Sequence, residues 1–361
     1  MWFAQNKKVA FGLTTVAILT VALILVFHNS RENQDSVRTR LLRFVPDNAT
    51  SVVFVDLDQL RASPFLRTFH SWAPHPAEDS DYMQFLSDTG FNYERDLSQV
   101  FIAISNRAGS SRTLVLADGK FDRKKIEAFL NRNSQPAKQG NLAVFLAPAQ
   151  AGKRPASFAF LSDHSVAIAN SEDLQQLLSA RIPEPGRTEW QTRLDRLAGS
   201  PIFAVIRQDP TIQNAVANQS PELAAFIAQL PWVTVAARPE ADSLQVVAEG
   251  ETITDTASSQ LRDFLQGIRL LAEDGLNDPK LRQQLNPDQR AAYLGVLKRT
   301  EIEKISRGEV KSVRIVLPIT EELLKIAKLP AALAPSSAAD PPPVAEGQKH
   351  AANRAKSSRK E

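Results

Sequence analysis

Ser51-Val52-Val53-Phe54-Val55-Asp56-Leu57 is a run of β-branched and aromatic residues, with Pro46-Asp47-Asn48 before it and Asp58 after it. Side chains of this shape suit a pleated, buried surface, and turn-forming residues delimit the run, so it predicts a buried central strand. Asp58 is placed to accept hydrogen bonds from the free N–H groups of a helix start. Phe65, Phe69 and Trp72 follow at i, i+4, i+7 as the apolar face of the helix it would cap. A buried strand followed by an amphipathic helix predicts an α+β body whose helices bury their stripes on a mostly antiparallel sheet.

The same alternation continues downstream. A short helix around Tyr82–Leu86 ends at Gly90, and strands are expected at Val100–Ser105 and Arg112–Ala117. A helix from Asp122 presents Ile126, Phe129 and Leu130. Leu142–Leu146 reads as a strand, and Ser157–Ser162 with Ser165–Ala169 as a hairpin around Asp163-His164. A helix carrying Leu174, Leu177 and Leu178 follows.

The second half repeats the pattern. Strands are expected at Ile202–Ile206, Trp232–Ala237, Leu244–Ala248 and Val313–Leu317, and helical segments at Pro221–Gln229 and Pro279–Lys298. A long helix has the stripe Leu261, Phe264, Leu265, Ile268 and Leu271, and the segment with Leu323, Ile326 and Ala327 is a last helix. Ala117-Asp118-Gly119 and Ala248-Glu249-Gly250 fall at matching points. Two similar sheet-plus-helix domains related by duplication are therefore expected, at 31–199 and 200–330.

The two ends differ from this body. Between Lys8 and Arg31 there is no Asp, Glu, Lys or Arg, and Val9–Phe27 is almost wholly apolar. At 1.5 Å per residue that run spans about 28 Å, close to the hydrocarbon thickness of a bilayer. Its length, and an exit through Phe27-His28-Asn29-Ser30-Arg31 without a small-residue cleavage pattern, predict an uncleaved transmembrane anchor within 1–30. Lys7 and Lys8 abut the run, so the N-terminus is expected in the cytoplasm and the body on the other side. Residues 331–361 are rich in Ala, Pro and Ser and carry Lys349, Arg354, Lys356, Arg359 and Lys360, the composition of a disordered basic tail.

With 43 basic and 40 acidic residues, the chain carries a net charge of +3 and no electrostatic footprint of a nucleic-acid binder. It has no Cys, which excludes disulfides and zinc–thiolate sites. Apolar residues make up 43% of the chain, enough for substantial cores.

Few residues suggest chemistry. Asp56 and Asp58 at a strand end are two carboxylates that can hold a divalent cation, though the Gly-rich phosphate loop that accompanies such pairs is missing. The structural alternative is Asp58 as a helix cap and Asp56 as a strand terminus. His70 and His75, with Glu78, Asp79 and Asp81, crowd a loop without an ordered metal-ligand spacing. Asp88-Thr89-Gly90 has the letters of an aspartic-protease turn but ends a helix instead of following a hydrophobic strand. Gly152-Lys153 and Ser110-Ser111 lack the neighbours of a phosphate loop or a nucleophile elbow, and His164 sits at a hairpin tip. No catalytic residue, metal or cofactor is assigned.

Phe44-Val45-Pro46-Asp47-Asn48-Ala49 leading into the first strand, Asp58-Gln59-Leu60-Arg61-Ala62-Ser63-Pro64, and Gly90-Phe91-Asn92-Tyr93-Glu94-Arg95-Asp96-Leu97 make 44–180 resemble uncharacterised bacterial membrane-anchored proteins with an exported α+β body. That resemblance implies an envelope location and no particular activity. The expectation is a single-pass envelope protein with a non-catalytic binding or assembly role, its partner an envelope protein or an apolar ligand. A carrier of a lipid or other apolar molecule and a tethered metal-dependent hydrolase using Asp56 and Asp58 are the alternatives.

Overall fold

The computed structural model describes residues 44–46, 48–65, 80–107, 110–147, 155–179, 186–197, 199–209 and 226–326. The expected anchor at 9–27, Phe69, His70, Trp72, His75, Gly152-Lys153 and the tail 331–361 lie outside the described residues. Among the described residues, no helix is long and apolar enough to cross a membrane.

The run that begins at Ser51 forms most of β1 (Ala49–Asp56), which leads into α1 (Leu57–Arg61). Helices α2 (Ser80–Thr89) and α3 (Tyr93–Asp96) precede the long strands β2 (Leu97–Arg107) and β3 (Ser110–Gly119). Then come α4 (Arg123–Asn133), β4 (Gln135–Gln139), β5 (Leu142–Ala147), β6 (Ala156–Ser162), β7 (Ser165–Ala169), α5 (Leu174–Ser179) and α6 (Gly186–Arg196). The second half holds β8 (Ile202–Arg207), β9 (Trp232–Pro239), β10 (Ser243–Thr252), α7 (Asp255–Asn277), α8 (Pro279–Gln284), α9 (Pro287–Arg299), β11 (Glu301–Arg307), β12 (Val310–Thr320) and α10 (Glu321–Ile326).

These strands form one antiparallel sheet of twelve, in the order β11-β12-β10-β9-β8-β1-β2-β3-β7-β6-β5-β4. The β1–β8 pair lies between the two halves, with Phe54 opposite Phe203 and their rings stacked at 5.0 Å. On each side of that pair the chain makes the same moves. Three strands meander outward (β1-β2-β3 and β8-β9-β10), helical structure follows (α4 in one half, α7 to α9 in the other), and the last strand of the half returns beside the third (β7 on β3, β12 on β10).

Strand alternation divides the core between the two faces of the sheet. Val52, Phe54, Phe101, Phe203, Val205 and Trp232 meet Leu174, Leu177, Trp190 and Leu194 of α5 and α6 on one face. Val55, Ile202, Val235, Ala237, Leu244 and Val246 meet Leu57, Leu60, Ile126 and Leu324 of α1, α4 and α10 on the other. The central strands are covered on both sides, which is why β1 reads as a continuous apolar run.

Several local expectations hold. Gly90 closes α2 with φ +72, in the left-handed region, and its N–H donates to the Leu86 carbonyl at 2.8 Å. The Asp122 carboxylate accepts from the Lys125 N–H at 3.2 Å to cap α4. Ser162 pairs with Ser165 across Asp163-His164.

Others are corrected. Asp58 does not cap the first helix; Asp56 does, because its extended backbone (φ −90, ψ 91) turns the carboxylate toward the Gln59 N–H, whereas Asp58 is already in the first turn. That helix ends at Arg61 with Ala62 as its C-cap; Pro64 and Phe65 are again helical, and Phe69 and Trp72 of the expected stripe lie outside the described residues. The apolar stripe of α7 is only partly core: Leu261 is buried, while Leu271 is 71% exposed and Ile268 is exposed too. Strands β4 and β11 and helix α6 were not expected. Both strands lie at sheet edges and are polar, and α6 shows only Trp190 and Leu194, with Leu197 just after it, as its apolar stripe.

Candidate functional site

At the end of β1, Asp56 is only 1% exposed. Its Oδ1 accepts from the Gln59 N–H at 2.8 Å, and Oδ2 accepts from Gln59 Nε2 at 2.9 Å and Gln99 Nε2 at 3.3 Å. Asp58 pairs instead with Arg61 at 3.3 Å, and Arg61 also donates to the Arg95 carbonyl at 2.7 Å. Burial raises the pKa of both carboxyl groups above the ordinary aspartate value, despite the Gln59 donors at Asp56 and the Arg61 charge beside Asp58. A metal ligand must instead be readily deprotonated and present a free oxygen. The geometry is that of a helix cap and an i, i+3 ion pair.

Among the described residues, no group of three His, Asp or Glu is arranged to hold a metal ion. Asp88 pairs with Arg132 at 2.7 Å, and the Thr89 hydroxyl donates to the Phe85 carbonyl at 2.6 Å, so Asp88-Thr89-Gly90 is a helix end. His164 is exposed at its hairpin tip.

The charged groups that do converge lie on β10, β11 and β12 of the second half and on α6, the last helix of the first. On β10, residues 244, 246 and 248 pack toward one core, so 245, 247, 249 and 251 point to the opposite face. Glu249 and Glu251 are therefore carried inward, at 6% and 4% exposure. Burial of ionised carboxylates is costly unless they are paired and hydrogen-bonded, and here three elements supply the partners.

Arg193 and Arg196 come from successive positions on one face of α6. Arg193 bonds Glu251, and Arg196 bonds both Glu251 and Glu249, the latter at 3.2 Å. Arg307 at the end of β11 bonds both oxygens of Glu249, with Nη2 at 3.1 Å from Oε2. From β12, Arg314 reaches Oε2 at 3.4 Å and the Ser312 hydroxyl donates to Oε1 at 2.9 Å. Burial alone would raise the pKa of Glu249, but the Arg307 and Ser312 donors and the Arg307 and Arg196 charges outweigh it and hold the carboxyl below the ordinary glutamate value.

Apolar packing fixes this network in place. The Arg193 guanidinium lies over the Trp232 ring at 4.0 Å, and Trp232 meets Trp190 edge-on with centroids 5.0 Å apart. Helix α6 is thus pinned to β9 and β10 by one stacked guanidinium and three carboxylate contacts.

Beside the C-terminal end of α6 the network opens into a pocket of about 210 Å³. Arg196, Arg238, Arg307 and Arg314 line it, with Glu249, Thr234, Ser200 and Gln245 as further polar groups and Leu197, Ala236 and Val247 as its apolar wall. Four guanidiniums against one carboxylate leave the lining with a surplus of three positive charges. The buried Nε atoms of Arg196 and Arg314 have no acceptor among the described residues.

None of these residues was singled out as a site in the sequence. The available signal was Glu249 and Glu251 at i, i+2 in a strand whose alternate residues already supply an apolar face.

No protein-family profile matches the chain, and no curated protein does. Among solved structures it is similar to crystal forms III, I and IV of TP0453, each with a TM-score of 0.41 and 10–11% sequence identity. These matches cover 79% of this chain and 94–96% of the other.

Proposed function

We propose that this chain is a non-catalytic binding protein, held to a membrane by residues 9–27 with its body outside the cytoplasm, and that it takes an anionic group into the arginine pocket. The carrying observation is the lining itself, four guanidiniums around one already saturated carboxylate. A guanidinium stays charged at any physiological pH and offers five N–H donors, so it binds and orients an anion without exchanging protons. A pocket built this way favours recognition over acid–base chemistry.

We also propose that the two halves arose by duplication. The shared strand order on the two sides of the β1–β8 pair supports this. So do Gly119 and Gly250, each seated against the segment that opens the neighbouring strand: a Cβ on Gly119 would meet the Asp96 carbonyl at 2.4 Å, and one on Gly250 would meet Leu230 at 3.2 Å.

The reading is tested in two steps. Full-length protein should remain in membranes after high-salt and alkaline washes, while a chain beginning near Arg38 is recovered in the soluble fraction. The full chain in neutral detergent should then melt at higher temperature with multivalent oxyanions than with chloride at equal ionic strength, by mass action on the folded state. Recovery of mature protein beginning near Ser30 would remove the anchor, and equal melting in every anion would remove the binding site.

A further inference from the structure

We infer that the pocket selects a phosphoryl group, as the dianion of a phosphate monoester, over other anions; this rests on the anion-binding reading above. The first argument is the direction of the donors. Arg196 comes from α6, Arg238 from β9, Arg307 from β11 and Arg314 from β12, so the guanidiniums reach the pocket from four separate elements. A planar carboxylate accepts forked donors within one plane, whereas a terminal phosphoryl group presents three oxygens in three directions. Donors converging from several sides match the second shape.

The second argument is donor supply. Glu249 already receives Arg196, Arg314, Ser312 and two N–H groups of Arg307, which fills the roughly four lone-pair positions of a carboxylate. Each of the three arginines has further N–H groups beyond those contacts. Arg238 makes no ion pair with Glu249, and its Nη2 lies 3.7 Å from where a Cβ on Gly199 would stand, at the loop between α6 and β8. The surplus of three positive charges then favours a ligand of charge −2 over one of −1.

Size and lining limit the rest of the molecule. About 210 Å³ is room for roughly seven waters, enough for a phosphoryl group and a small organic body. Leu197, Ala236 and Val247 give that body an apolar wall, and Thr234, Ser200 and Gln245 give it hydroxyl and amide neighbours. A soluble phosphate monoester and the headgroup of a phosphatidic acid share this chemistry.

The test is calorimetric titration of the full chain in neutral detergent with glycerol 3-phosphate, dihexanoyl phosphatidic acid, sulfate and succinate. The phosphate esters should bind tightest. Preference for the lipid would identify a headgroup ligand, equal affinity a soluble one, and either supports the assignment.

Binding should also strengthen, by up to about tenfold, from pH 5 to 7.5 as the monoester loses its second proton near pH 6. The charged groups around the ligand are Glu249, Arg196, Arg238, Arg307 and Arg314, with Glu251 and Arg193 behind Arg196 and Glu303 cross-strand from Arg314. No histidine is among them.

Arg238→Gln, which leaves the Glu249 network intact, should cost about tenfold in affinity with an unchanged melting temperature of the free protein. Arg314→Gln should weaken binding as well. Succinate or sulfate binding as tightly as the phosphate esters would overturn the phosphoryl assignment and leave the anion site standing. So would an affinity that does not change with pH. Failure of all four ligands to bind folded protein would overturn both, and full affinity in Arg238→Gln would overturn this placement of the ligand.

Discussion

Replacing Glu249 with Gln isolates the contribution of its charge, because the amide keeps nearly the same size and one acceptor oxygen. In the native structure the carboxylate joins three guanidiniums and the Ser312 hydroxyl. The variant leaves those guanidiniums facing an amide, and removing one member of a buried ion pair typically costs about 3–5 kcal/mol. Part of that is recovered here. The Arg307 and Arg314 side chains are 36% and 32% exposed and can be rehydrated, and Arg196 keeps Glu251. The expected loss is therefore about 2–3 kcal/mol, which at about 2–4 °C per kcal/mol lowers Tm by roughly 4–12 °C.

Urea unfolding followed by circular dichroism reads this directly, with Glu240→Gln in the exposed β9–β10 turn as a control expected within about 0.5 kcal/mol of the parent. The pH dependence supplies an independent check. The pKa of Glu249 lies lower in the folded chain than its ordinary value of 4.5. Its stabilisation is therefore fully present above pH 4.5 and is lost as pH falls through the lowered folded value, so the gap between parent and variant should close in acid. A loss below about 0.5 kcal/mol, or a gap that stays constant from pH 7 to pH 3, would refute the account of this network.

Asp56→Ala should cost about 0.5–2 kcal/mol by removing the cap of α1, whereas Asp56→Asn should cost much less, since it retains a capping oxygen and burial already disfavours the charged acid. The parent melting temperature should not respond to Mg²⁺; a rise abolished by Asp56→Asn would restore the metal reading. Gly119→Ala should destabilise by about 1–3 kcal/mol, because its Cβ would meet the backbone carbonyl of Asp96 at 2.4 Å. Gly267→Ala, inside α7 with nothing within 4 Å of a new Cβ, should instead stabilise by about 0.5–1 kcal/mol, and thermal unfolding of the pair checks both signs.

The elements legible in the sequence were those whose own residues carry the period of their environment. Val52 to Val55 announce a strand covered on both faces, and Ile126 with Leu130 and the Asp122 cap announce α4. Repetition of that pattern gave the α+β class and the parallel between the halves. The edge strands β4 and β11 escaped because only one neighbour orders them, so Gln135–Gln139 and Glu301–Arg307 need little apolar content and resemble loops. Asp56 ends its strand as expected, but it and not Asp58 caps the helix, since which of two acids two residues apart does so depends on the backbone angle at the junction and not on composition.

The pocket lies beyond local reading for a different reason. Its residues span positions 196 to 314, and each of its charged ones looks locally like an ordinary solvated charge on a helix or a strand. Only pairing β10, β12 and β11 in register, and laying α6 across the sheet, brings Arg196, Arg307 and Arg314 to Glu249. The sequence by itself determined which short segments must be buried, because burial of apolar side chains is a local requirement with a local period. The tertiary structure alone decided which charges meet, because an ion pair between distant segments leaves no periodic trace in the chain.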